Sequence, residues 1–140
     1  MPDLETITMP NGTTYNLRDS RFGSVQTQGN WKWKEYGDNT FEAWYKATGQ
    51  TLTITTTSGN LYRSDLQTMT LPTNFTNAHM ATIIDCSVNA AHNNYPVWGL
   101  LASIQPSGYA NAFRWYAMSG GSRNSNSNYY ITAYVFGTYS

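Results

Sequence analysis

The stretch Trp31 to Tyr45, WKWKEYGDNTFEAWY, alternates apolar and polar residues on both sides of a Gly37-Asp38-Asn39 turn, which commits this part of the chain to an antiparallel hairpin. Two registers compete. A two-residue Asp38-Asn39 loop sets Trp33 opposite Trp44, but it also sets Glu35 against Glu42, and like charges directly opposite are destabilising. A three-residue loop, with a type I turn and Asn39 in the left-handed region as a bulge, pairs Lys34 with Glu42 and Lys32 with Trp44. The second register is expected. It puts Trp31, Trp33, Phe41, Ala43 and Tyr45 on the core face, and Lys32, Lys34, Tyr36, Glu42 and Trp44 on the other. Asn tolerates positive φ better than any residue but Gly, so Asn39 is explained by the turn alone.

The rest of the chain repeats this pattern. Strands are expected at roughly 30–36, 40–47, 51–57, 60–63, 68–71, 80–89, 97–104, 111–118 and 128–138, divided by turn signals at short intervals. Thr, Tyr and Trp are abundant while charged residues make up only 11% of the 140, so strands outweigh helices. The fold expected is all-β, an antiparallel β-sandwich of jelly-roll-like type over residues 25–140. A polar lead-in or neck segment, 1–24, precedes it, punctuated by Pro2, Pro10 and Gly12, with a possible helical turn from Leu17 to Phe22. Two connections are soft, AAHNNYP (90–96) and SGGSRNSNSN (119–128), and either could serve recognition.

Eight basic and eight acidic residues cancel, which argues against nucleic acid and anionic lipid as partners. No apolar run suggests a signal peptide or a membrane span. The single Cys86 rules out an intramolecular disulfide, and its inward position in MATIIDCSV makes it a buried thiol rather than a nucleophile. His79 and His92 lack the spacing of metal ligands, so no metal and no cofactor is expected. Glycoside cleavage needs two carboxylates about 5 to 10 Å apart. Asp38 is a turn residue, Glu42 faces Lys34, Asp65 lies in a loop and Asp85 points away from the core, so no catalytic pair is expected and the chain is read as a non-enzyme.

The hairpin closely resembles a W-x-[WY]-x-x-[WY]-x-[DN]-[GN]-T-x-E-x-W signature found near the start of C-terminal domains in tail and receptor-binding proteins of phages and prophages of Gram-positive bacteria. The match runs from Trp31 to Trp44, with Asn39 where Gly is commoner. The preceding NGTTYNLRDSRFG (11–23) resembles the G-x-x-Y-x-[IL]-[KR]-D motif that often joins such domains to the rest of a tail protein. The final strand, YYITAYVFGTYS, is similar to the way such domains end. The resemblance implies a β-sandwich head, often a homotrimer, in the virion at a phage tail or baseplate. Such a head is made in the bacterial cytoplasm, docked on other tail proteins, and contacts host cell-surface saccharide. A purely structural assembly module and a wall-degrading tail enzyme are the alternatives, the latter less favoured.

Saccharide contact calls for Trp and Tyr rings against sugar C–H faces and for polar side chains toward hydroxyls. The candidates are His92, Asn93, Asn94 and Tyr95 in one soft connection, and Trp115, Tyr116, Arg123 and Asn126 flanking the other. Self-association is read from two strands. VWGLLASI (97–104), with Trp98 and Leu100, is apolar at successive positions, as in a strand buried on both faces. In the last strand Ile131, Ala133 and Val135 face one way, and Tyr130, Thr132, Tyr134 and Phe136 the other; such an aromatic stripe marks an interaction surface.

Overall fold

The computed structural model describes residues 6–16, 24–36, 38–73, 75, 78–88, 96–104, 111–123 and 128–139. Among these there is no helix. Twelve strands are present: β1 (Thr6–Thr8), β2 (Thr14–Asn16), β3 (Gln26–Gln28), β4 (Trp31–Glu35), β5 (Thr40–Thr51), β6 (Ile54–Ser58), β7 (Leu61–Ser64), β8 (Gln67–Thr70), β9 (His79–Val88), β10 (Val97–Ile104), β11 (Ala112–Ser119) and β12 (Asn128–Thr138). β1 and β2 form a separate two-stranded sheet. The remainder build two antiparallel sheets, one in the order β3-β4-β5-β12-β9 and one in the order β10-β11-β7-β6 with β8 also paired to β11. The chain is thus all-β, and its two large sheets pack face to face as a β-sandwich; the strand order does not establish a jelly roll.

The hairpin adopts the three-residue loop. Lys34 pairs with Glu42 and Lys32 with Trp44. The Tyr36 amide donates to the Thr40 carbonyl (2.9 Å), the Asn39 amide donates to the Tyr36 carbonyl (3.1 Å), and Asn39 has φ 61°. Asp38 holds the turn from within, because its carboxylate accepts hydrogen bonds from both the amide and the hydroxyl of Thr40. Those bonds, the hydroxyl's first, hold the Asp38 carboxyl below its usual range.

The alternation then decides the core. Trp31, Trp33, Phe41, Ala43, Ala47, Ile84, Cys86, Ile131, Ala133 and Val135 turn inward from one sheet, and Ile54, Met69, Phe113, Trp115 and Ala117 from the other. Trp31 ties the layers together, its indole N–H donating to the Thr70 carbonyl across the sandwich at 2.9 Å. Phe75, on the connection from β8 to β9, plugs one end of the core: it stacks on Phe41 (centroids 4.2 Å) and sits edge-on to Trp33 and Tyr139. β5 runs on past its expected end at 47, because Gly49, at φ 69°, takes up a bulge opposite Tyr130 and lets the strand continue to Thr51.

β9 and β10, edge strands of opposite sheets, come together closely. A Cβ on Gly99 would lie 2.8 Å from the Ile84 carbonyl oxygen, so only glycine allows this approach. The apolar outer positions of β10 are open in the single chain. Val97 and Leu101 pack on the core, while Leu100 on the outer face is 46% exposed, at a position that the self-association reading assigns to contact with another copy. The helical turn expected at 17–22 lies outside the described residues, and the lead-in holds an unexpected hairpin, β1-β2. Gly12 (φ 83°) and an Asn11 side chain accepting from the Thr13 amide make its turn.

Candidate binding face on the β4-β5-β12-β9 side

The pairing of β5 with β12, which no local pattern announces, brings the hairpin's outer face beside the aromatic stripe of the last strand. Reading across β4, β5, β12 and β9, one row is Lys32, Trp44, Tyr134, Ile83 and the next is Lys34, Glu42, Phe136, Ala81. Rings therefore gather across the β5–β12 pair. Trp44 and Tyr134 have centroids 6.2 Å apart, and Tyr134 and Phe136 5.8 Å. Phe136 is 47% exposed and Ile83 64%, a large apolar area for an uncovered sheet face. Lys32, Lys46 and Asp85 frame it, each exposed.

Beside the rings lies a shallow depression of about 360 Å³, lined by Tyr36, Thr40, Glu42, Tyr134, Phe136 and Thr138 among others. Its one carboxylate, Glu42, accepts a hydrogen bond from the Tyr134 hydroxyl at 3.1 Å. Desolvation first, then the hydrogen bond to Glu42 and its charge, raise the Tyr134 phenol. Tyr36 is raised likewise, by desolvation and then by the charge of Glu42 and a hydrogen bond to it. The Tyr134 phenol thus keeps its proton and donates to the carboxylate, with Tyr36 lining the same depression.

A second concavity, a slot of about 390 Å³, opens between the sheets, with Trp31 and Trp115 at its back and Gln50, Gln67, Thr68 and Thr70 toward solvent. It reaches the core through a polar entrance.

The residues singled out from the sequence fall in different places. His92, Asn93, Asn94, Tyr95 and Asn126 lie outside the described residues. Trp115 is 2% exposed and belongs to the core, meeting solvent only through the slot. Arg123 is buried as well: its Nε donates to the Ser119 hydroxyl (3.1 Å), and its backbone exchanges two hydrogen bonds with Ile54, so it pins the end of β11's loop to β6. Tyr116 lies on the outer face of the other sheet, opposite Leu100, with the Arg63 guanidinium 4.8 Å from its ring centroid; Trp98 is on the same face. Tyr130, Tyr134 and Phe136 share the outer face of the β3-β4-β5-β12-β9 sheet with Trp44.

Cys86 is fully buried, and burial together with the charge of Asp85, against the opposing charge of Arg123, pushes its thiol up to about 12. Such a thiol is a poor nucleophile. Among the described residues no three of His, Cys, Asp and Glu group as metal ligands, and no helix is long and apolar enough to cross a membrane. Comparison with known protein families, characterised proteins and solved structures returns no match.

Proposed function

We propose that this chain is a binding head of a phage tail or baseplate, assembled as a homotrimer on other tail proteins, that contacts host cell-surface saccharide. The observation that carries the reading is the ring cluster of exposed Trp44 and Phe136 with half-buried Tyr134 between them on one sheet face, with hydrogen-bonding side chains beside it. Aromatic faces give sugars apolar contact at little conformational cost, since a ring has only two torsions to fix. The resemblance of Trp31–Trp44 to the tail-protein hairpin supports the setting. The test is an array of Gram-positive wall saccharides: the head is expected to bind at least one class, and an array without a binder would overturn the reading.

A structural assembly module is the second reading, and the exposure of Leu100 on β10 and Ile83 on β9 favours it. Under it the apolar faces are buried between copies, and variants at Trp44 and Phe136 lower solution mass rather than saccharide retention.

A further inference from the structure

Within the saccharide-binding reading, on which this step rests, we infer that the depression over Glu42 is the primary subsite, and that it takes one neutral pyranose. The sugar presents two hydroxyls to the carboxylate and its C–H face to Phe136. The charge at the site selects the ligand class. Glu42 is opposed on the same face by its cross-strand partner Lys34, so the site offers neither an anion nor a cation an unopposed counter-charge. A neutral polyol needs no counter-charge. It also meets both kinds of hydrogen-bonding group.

An ionised carboxylate offers about four acceptor positions. Tyr134 takes one at 3.1 Å, which leaves acceptors free for hydroxyl donors of a ligand. The Tyr134 hydroxyl also fixes the carboxylate before the ligand arrives, so less rotamer freedom is lost on binding. Phe136 sits directly opposite Glu42 across the β5–β12 pair and is 47% exposed, so a ring seated on it lies next to the carboxylate. The volume, about 360 Å³, falls near the lower end of small-molecule sites, which run from about 300 to 1,000 Å³. It suits a single sugar unit rather than an extended chain, with Tyr134 and Trp44 continuing the ring path for the next unit.

The test titrates the full chain with methyl glycosides of glucose, galactose, rhamnose and N-acetylglucosamine, and with choline chloride, following backbone amides by NMR. Wall polysaccharide retention is measured alongside. At least one glycoside is expected to shift the amides of 36, 40–42 and 134–138. Glu42→Gln and Phe136→Ala are each expected to weaken binding about tenfold or more, the loss of one strong contact, while near-ultraviolet circular dichroism stays native. Both side chains point away from the core, so neither change threatens folding. If wall polysaccharide binds but the shifts lie elsewhere, or both variants bind like the parent, the subsite is overturned and the saccharide reading stands. A response to choline without one to the glycosides overturns the neutral class. Failure of every saccharide, polymer included, overturns both.

Discussion

Phe75 is the most demanding test of how the core is closed. It lies on an irregular connection, yet it is fully buried, stacked on Phe41 at 4.2 Å and 25° and edge-on to Trp33 (6.0 Å) and Tyr139 (5.3 Å). Truncating a buried Phe to Ala costs about 3 to 5 kcal/mol through lost transfer energy and the cavity left behind. Three ring partners bound in a closed end leave little scope for collapse, which places Phe75→Ala in the upper half of that range, at about 4 kcal/mol. Total stability for a domain of this size is about 5 to 15 kcal/mol, so the loss is a large fraction of it. The variant should melt about 12 to 16 °C lower, at about 3 to 4 °C per kcal/mol. Urea unfolding followed by tryptophan fluorescence reads the free energy directly, and the slope should match the parent's, because the surface exposed on unfolding is nearly the same. Phe75→Leu, which keeps most of the volume and loses the ring geometry, should cost about 1 to 2 kcal/mol. A loss below about 1 kcal/mol for Phe75→Ala would refute the reasoning, since no buried, triply packed ring can be removed that cheaply.

Other perturbations follow from the same geometry. Asn39→Gly relieves a non-glycine residue at φ 61° and should leave stability unchanged or raise it by up to about 1 kcal/mol, whereas Asn39→Val should lower it by about 1 to 2 kcal/mol; thermal melts decide between them. Gly137→Ala should be strongly destabilising, because a Cβ there meets the backbone of His79 and Met80 on the neighbouring strand and no flexible side chain can yield; expression with a loosened amide-exchange pattern in β9 and β12 is the expected readout. The Cys86 thiol should resist Ellman's reagent in the native chain and react fully in denaturant. Its raised pKa also has a sign. The unfolded chain gives up this proton near pH 8.5 to 9, roughly, while the native state keeps it toward about 12. The thiol's contribution is therefore intact below about pH 9 and is lost as pH climbs toward about 12. Cys86→Ala should flatten the alkaline fall in urea midpoint relative to the parent. For assembly, light scattering should give three times the 15.7 kDa chain mass, and a monomer would contradict the trimer.

How far the sequence carried the structure varies from residue to residue. The hairpin register was readable because only one loop length pairs Lys34 with Glu42 and avoids Glu35 against Glu42, and the structure has that pairing. Asp85 pointing out and Cys86 pointing in followed from period-two alternation alone. Phe75 was not readable, since an irregular segment has no period to betray which residue turns inward. Trp115 could have been placed: in AFRWYAMS it alternates with Phe113 and Ala117, both buried, but its nearness to a polar loop suggested exposure instead. The site around Glu42 was half visible. Tyr36 and Glu42 share the hairpin's outer face, and Tyr134 and Phe136 share a face of the last strand, but only the β5–β12 register joins the two, and that pairing spans about ninety residues of chain. For β10 the sequence is silent on what covers the outer face, because successive apolar residues look alike in a strand buried within one chain and in an edge strand whose outer face, open in the single chain, meets another copy.

The measurement that bears most directly on the whole account is retention of the purified chain on immobilised Gram-positive wall polysaccharide, run beside Phe136→Ala and Glu42→Gln. The account predicts that the parent chain is retained and eluted by a soluble neutral glycoside, and that both variants pass through while remaining folded. A parent chain that passes through every such polysaccharide unretained would contradict it.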